Sequence, residues 1–386
     1  MSTRDRILAL SVLTQAEYEI SALELQILTA VAQLDWTLGS DIMQKFDTSE
    51  EHLLQLAKNG LLLVNHPDEP YRSHLIADEQ LSATDWNPCS AMHHFMTKWS
   101  EKDLGARSSA EAGRPGLRQE ADEVSLEDTI KTRGLPPPHF HSRPDALEIT
   151  KLPNLKPSGR LYEILTERCT SRNYNAHKTL PLAKLSQILY YTFGCHGLAS
   201  LTGDVELSEH AMAVKKTSPS GGALTPVECY PLITRVEGLD SGLYHYNVEQ
   251  HALEQLKVMT NGETEALAEV FAAGQSYYRD AHVIFILTAR FYRNFWKYGN
   301  HKKAYKVLLM DAAHLSQTLY LLCTDMKLGA FVTAAINDVK IEKELKLNPL
   351  EEGVLCICGC GITLPELNEK TVFRPSEYDP ELARSS

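Results

Sequence analysis

The chain has 386 residues, 43% hydrophobic and 23% charged, enough for two domains that each bury a core. Acidic residues outnumber basic ones 50 to 38, a formal net charge of −12, which argues against broad binding along a nucleic-acid phosphate backbone. No run approaches the ~20 apolar residues of a membrane span, and residues 1–13 lack a small-residue cleavage pattern, so a cytoplasmic protein is expected.

Residues 1–100 carry a periodicity of their own. Ser21-Ala22-Leu23-Glu24 leads into an apolar face at Leu23, Ile27, Leu28, Val31 and Leu34, which is helical spacing. Residues 40–46 fit a second short helix. Thr48-Ser49-Glu50-Glu51 reads as a capping box opening a third, with Leu53, Leu54 and Leu56 on it and Asn59-Gly60 ending it. Residues 61–64 then read as a strand and 66–70 as a turn. Three helices followed by a hairpin make a winged-helix-like unit. Its third helix holds Glu50, Glu51 and Lys58, an acidic balance that suits no phosphate-lined groove, so no nucleic-acid partner is expected.

Residues 86–102, with Met92, Phe95, Met96 and Trp99, have the pattern of an amphipathic helix that packs one domain on the other. Residues 105–123 are rich in Gly, Ser, Glu and Arg, and 134–141 are stiffened by Pro136, Pro137 and Pro138, so 101–157 read as a linker or arm. His139 and His141 alternate as a metal-binding pair would, but no third ligand is evident.

From 158 to 386 helices and strands alternate. Leu161, Ile164 and Leu165 mark a helix ending at Arg168, and 182–193 another; strands are expected at 229–236, 242–247, 251–256, 282–289, 330–334 and 354–359. Residues 304–323 form a helix apolar nearly all round, which must be covered on all faces; a second copy of the chain is the expected cover. Cys356, Cys358 and Cys360 share one face of a strand, where thiols act as small apolar groups. A buried strand is preferred there to a metal site.

Three segments carry chemistry. In Ser218-Pro219-Ser220-Gly221-Gly222-Ala223-Leu224-Thr225-Pro226 the small residues let backbone amides approach a flat or anionic ligand. In Arg168-Cys169-Thr170-Ser171-Arg172-Asn173-Tyr174 two guanidinium forks and a hydroxyl suit a phosphate, although a solvated helix end would use the same arginines. Phe295-Trp296-Lys297-Tyr298-Gly299 is either an aromatic core patch with a snorkelling lysine or an acid/base pair whose lysine is desolvated by the neighbouring rings.

In order and spacing these segments resemble the SagB-type dehydrogenases, a branch of the nitroreductase-like flavoproteins. The matching motifs are P-S-G/A-G-A-L-x-P at the glycine loop, V-E-G-L-x-x-G-L-Y-x-Y from Val236 to Tyr246, R-x-S/T-x-R-x-F/Y from Arg168 to Tyr174, and W-K-Y-G at 296–299. Asp311, His314 and Gln317 stand in the long helix that follows in that family. The resemblance covers roughly residues 158–365 and implies an α+β nitroreductase-like domain, a mixed central sheet flanked by helices, preceded by the winged-helix-like unit. It further implies a homodimer with FMN at the shared interface. Arg168, Cys169, Thr170 and Arg172 would lie at the phosphate end, the Ser220, Gly221 and Gly222 backbone at the ring edge, and Lys297 and Tyr298 would form the catalytic pair.

The reaction so implied is oxidation of thiazoline or oxazoline rings in a ribosomal peptide precursor to thiazole or oxazole, with molecular oxygen reoxidising the flavin. A cyclodehydratase would accompany it, and the winged-helix-like unit would capture the precursor's leader as an added strand. The alternatives are an NAD(P)H-dependent reductase of small molecules and a non-enzymatic flavin-binding regulator. Two departures stand out: Gly359 to Leu364 lacks the basic residue that many relatives place near the phosphate, and Gly221 stands where alanine is common.

Overall fold

The computed structural model describes residues 6–34, 36–100, 126–136, 138, 140, 143–153, 158–200 and 212–365. The His139–His141 pair and residues 105–123 lie outside the described residues.

A hairpin of β1 (Ile7–Ser11) and β2 (Ala16–Ile20) opens the chain, followed by α1 (Ala22–Val31), α2 (Gly39–Phe46), α3 (Glu50–Lys58), α4 (Tyr71–Ala83) and α5 (Pro88–Met96). Helix α1 starts at a reciprocal box in which Ser21 Oγ accepts from Glu24 N and Glu24 accepts from Ser21 N. The box expected at Thr48 to Glu51 is absent. Ser49 alone caps α3 through His52 N, because the Thr48 hydroxyl is taken by His52 Nδ1 at 2.8 Å.

The strand expected at 61–64 does not form either. Leu61 N closes α3 on Leu56 O at 3.0 Å, and Leu61 and Leu62 pack on the small core of Ile27, Ile42, Leu53 and Leu56, so no partner strand is available. The hairpin instead precedes the helices. Its alternation is masked because the outward positions of β1 are themselves apolar: Leu8 opposes Glu19 and Leu10 opposes Glu17, leaving the leucines 57% and 41% exposed.

After α6 (Leu126–Arg133) come α7 (Arg160–Glu167), α8 (Leu182–Phe193), the hairpin β3 (Gly197–Ser200) and β4 (Met212–Lys215), β5 (Val227–Ile233), β6 (Gly242–Asn247) and β7 (Ala252–Val258). Then follow α9 (Asn261–Phe271), β8 (Val283–Arg290), α10 (Phe291–Tyr298), α11 (Ala304–Asp325), β9 (Gly329–Thr333), α12 (Asp338–Leu345) and β10 (Glu352–Gly361).

Strands β5 to β10 make one sheet in the order β7-β6-β5-β8-β10-β9 with antiparallel pairings; its parallel component comes from the bridges Thr170 to Ala330 and Leu180 to Val236. One face sets Val227, Cys229, Phe285, Leu287 and Cys358 against α8 and α11. The other sets Leu232, Ile284, Ile286 and Ile357 against α9 and α12. Cys358 and Cys360 are fully buried on the first face, the buried-strand environment that their alternation indicates.

Helix α11 is not enclosed on all sides. It buries Leu308, Ala312, Leu315 and Leu319 and leaves Leu309 and Met310 42% and 58% exposed. Among the described residues no helix is long and apolar enough to cross a membrane.

Residues 86–99 are built into the sheet-bearing unit. Trp86 lies 4.5 Å from Phe291 and 5.0 Å from Phe295 between ring centroids, and its Nε1 donates to Leu350 O at 3.1 Å. Lys98 Nζ contacts both Glu342 oxygens at 2.7 and 2.9 Å, with both side chains buried. A buried charge deprived of its partner is costly, so Lys98→Ala should destabilise the protein by roughly 3–5 kcal/mol in urea unfolding.

His94 donates or accepts through Nδ1 with Tyr305 Oη at 2.8 Å, and burial holds its pKa well below the usual 6.5. The unfolded chain then takes up a proton that the folded chain refuses. Stability from His94 is therefore present above pH 6.5 and lost as pH falls. Asp338, which accepts Trp99 N at 2.9 Å, is pushed by burial up to about 7, so its contribution is present at low pH and lost as pH rises towards 7. On going from pH 7 to pH 5, the unfolding midpoint of His94→Phe should move in the stabilising direction relative to that of the wild type, because the His94 loss is removed and the opposing Asp338 gain is kept.

Candidate active site

The glycine loop runs from Ser218 to Thr225 between β4 and β5. Helix α11 grips it residue by residue: Asp311, only 3% exposed, accepts Ser220 Oγ–H at 2.5 Å and Gly221 N–H at 3.0 Å. His314 Nδ1 lies 3.3 Å from Pro219 O, and Thr318 Oγ1 lies 2.6 Å from Ser218 Oγ. The small cavity behind the loop is lined by Lys216, Ser220, Thr225 and Asp311, and burial draws the Lys216 ammonium pKa down.

The loop meets the Lys297–Tyr298 pair. Gly222 has φ +62°, and a β-carbon there would lie 2.8 Å from Lys297 Nζ and 2.9 Å from Tyr298 Oη. A side chain there would have to push the Lys297 and Tyr298 tips aside and hold a left-handed backbone. Gly221 is equally constrained, since a β-carbon would fall 2.1 Å from Val307 Cγ1. Alanine, common at this position in the resembling family, would here have to displace Val307.

The desolvation expected around Lys297 is not supplied by the helix that carries it. Phe291 and Phe295 of α10 turn inward against Trp86, while Tyr292, Trp296 and Lys297 are exposed. Among the described residues nothing else covers the Lys297 side chain.

At the other end, residues 168–174 run extended, with Ser171 N donating to Ala330 O at 2.8 Å. Ser171, Asn173 and Tyr174 are buried, and Arg168, Cys169, Thr170 and Arg172 are half-buried; successive side chains of an extended run point to opposite sides. Cys169 falls out of phase with Arg168, Thr170 and Arg172. Arg168 Cζ lies 5.2 Å from the Tyr320 ring centroid, and Thr170 Oγ1 lies 3.0 Å from Tyr320 Oη. Arg172 Cζ lies 5.4 Å from the Tyr277 ring centroid.

Asp311 and Tyr320 are nine residues apart on one helix, which separates the loop end from the arginine end by about 13 Å along its axis. The segment after β10 straps beside the arginine run through Leu364 N to Asn173 O at 2.8 Å, and its described residues, 362–365, bring no basic side chain.

These features fit a flavin nucleotide. Among the described residues no carboxylate pairs with Arg168, and the loop offers backbone where side chains cannot stand. Sequence reading missed Tyr320, Val307 and the role of Asp311; the one available signal was an acid on an otherwise apolar helix.

The packing at Gly221 can be tested directly. Gly221→Ala should cost roughly 1–3 kcal/mol, and adding Val307→Ala should recover part of that loss in a double-mutant cycle read by urea unfolding.

The chain is 30% identical over 203 residues to MJ1384 of Methanocaldococcus jannaschii, a protein named for the nitroreductases, covering 53% of this chain and 91% of that one. It is 26% identical over 245 residues to the trifolitoxin-processing protein TfxB of Rhizobium leguminosarum bv. trifolii, covering 63% of each. Among solved structures it is similar to a nitroreductase-type protein of Anabaena variabilis, with TM-score 0.43, 24% identity and coverage of 53% of this chain and 38% of that one. It is also similar to a chain in the E. coli microcin synthetase McbBCD complex with truncated pro-MccB17 bound, with TM-score 0.48, 16% identity and coverage of 84% and 100%. The nitroreductase family model matches residues 165–362, and the chain belongs to that family of flavin-binding oxidoreductases.

Proposed function

We propose that the protein is an FMN-dependent dehydrogenase of a ribosomal peptide precursor that oxidises thiazoline or oxazoline rings to thiazole or oxazole. The observation that carries this reading is the convergence of Lys297 Nζ and Tyr298 Oη on the bare backbone of Gly222. The motif order and the similarity to a trifolitoxin-processing protein favour a peptide substrate.

Azoline oxidation removes one hydride and one proton from adjacent ring carbons. FMN, when bound, supplies the hydride acceptor. Arg168, Thr170 and Arg172 would hold the phosphate by charge-assisted hydrogen bonds, and the Ser220 to Gly222 backbone would hold the ring edge. Tyr298 Oη and Lys297 Nζ take the proton and hand it on. Lys297 is exposed among the described residues, and a bound ring and peptide would exclude water from it.

The reading extends to partners. Leu309 and Met310 on α11 are the surface of a homodimer, and the exposed edge at Leu8 and Leu10 accepts the leader as an added strand. A cyclodehydratase supplies the azoline.

Arg168→Ala should lower FMN occupancy at least tenfold, the loss of a contact of roughly 1.5–3 kcal/mol, as read by flavin fluorescence titration. Lys297→Ala and Tyr298→Phe should keep FMN bound while azole formation, followed by the mass loss of two hydrogens per ring, falls by a factor of ~10²–10⁴. Full activity in both variants would reassign them as surface residues. Rapid flavin reduction by NADPH with no peptide turnover would favour the small-molecule reductase.

A further inference from the structure

We propose that Asp311 is a positioning residue that holds the loop from Ser218 to Thr225 in a strained form, and so sets where the Gly222 backbone lies against Lys297 and Tyr298. The proposal rests on the flavin-site reading above.

The loop adopts a backbone it would not keep unaided. Gly222 has φ +62°, and Ala223 at +57° and Thr225 at +46° share the left-handed region, which side chains disfavour and β-branched ones most of all. Such strain persists only where the surroundings over-determine it. The over-determination here is a chain of hydrogen bonds. Asp311 Oδ2 accepts Ser220 Oγ–H at 2.5 Å, Asp311 Oδ1 accepts Gly221 N–H at 3.0 Å, and Ser220 Oγ in turn accepts Thr225 N–H at 3.0 Å.

Both carboxylate oxygens are thereby committed. With 3% exposure and each oxygen bonded to the loop, Asp311 acts through the loop, not on the reacting atoms. It is also the first of three α11 side chains, with His314 and Thr318 at the i, i+3 and i+7 positions of one face, that contact Ser220, Pro219 and Ser218 in turn. Asparagine at 311 would keep the shape but present one acceptor for two donors. Of the three loop grips, only the Asp311 bonds are charge-assisted and therefore strong.

The test compares wild type, Asp311→Asn and Ser220→Ala by residue-resolved hydrogen exchange without flavin, and by FMN titration and steady-state kinetics with it. Exchange at Gly221 and Thr225 should rise about tenfold or more in Asp311→Asn, with amides of α8 and β8 unchanged. With FMN and peptide, kcat should fall about tenfold or more while FMN still binds, because Arg168 and Arg172 still hold the phosphate end.

Ser220→Ala should free Thr225 while leaving Gly221 protected, which identifies the carboxylate as the anchor even if Asp311→Asn proves too unstable to study. Unchanged exchange at both amides would overturn the proposal, as would a loosened loop with unchanged kcat. If the wild type binds no FMN the flavin reading fails, and the exchange result alone then decides whether Asp311 sets the loop.

Discussion

A 22-residue helix lying across one face of the sheet fixes where every candidate group can stand. Its buried stripe of Leu308, Ala312, Leu315 and Leu319 packs on the strands and neighbouring helices, so its other faces have little freedom to rotate. From those faces Val307 limits residue 221 to glycine, Asp311 ties the loop, Tyr320 backs Arg168 and Thr170, and Tyr305 reaches His94. A buried acid in such a helix is tolerable only if its oxygens are satisfied, and the loop's hydroxyl and amide satisfy them. The loop is thus positioned by the same requirement that lets the helix stay folded.

The N-terminal segment enters this arrangement through α10. Phe291 and Phe295 bury themselves against Trp86 and Phe95, which turns Lys297 outward and brings Tyr298 Oη beside the loop. Residues 86–99 therefore work as part of the catalytic core, although they follow the N-terminal unit in sequence. The buried Lys98–Glu342 pair and the Asp338 contact to Trp99 fasten that segment to α12. Val12 and Leu81 from before Trp86 join the same cluster.

Much of the sheet-bearing unit was legible because its signals are local. Helix α8 and strand β6 fall where periodicity and flanking Gly and Pro residues put them, and the other core strands shift by a few residues. Helices α9, α10 and α12 were not anticipated: α10 is a short aromatic run with little periodicity, and α12 alternates charge with isolated apolar residues. The β1–β2 hairpin escaped notice because Leu8 and Leu10 face outward. Residues 61–64 looked like a strand because four apolar residues in a row do not distinguish a strand from a loop packed on a core.

The candidate site was legible as motifs and illegible as geometry. The motifs named the loop, the arginine run and the Lys-Tyr pair, but nothing local says that residues 222, 297 and 298 meet, or that Val307 forbids a methyl group at 221. Those are long-range contacts, the first made by α10 and the second by α11. The expected desolvation of Lys297 failed for the same reason, since adjacency in sequence to Phe295 and Trp296 does not put their rings around the ammonium. The measurement that bears most directly on the site is a crystal structure of the protein with FMN. The expected result has the phosphate between Arg168, Thr170 and Arg172, and the ring along Ser220 to Gly222 with its reactive edge open to Lys297 and Tyr298. A flavin bound elsewhere, or a ring edge turned away from Lys297 and Tyr298, would contradict it.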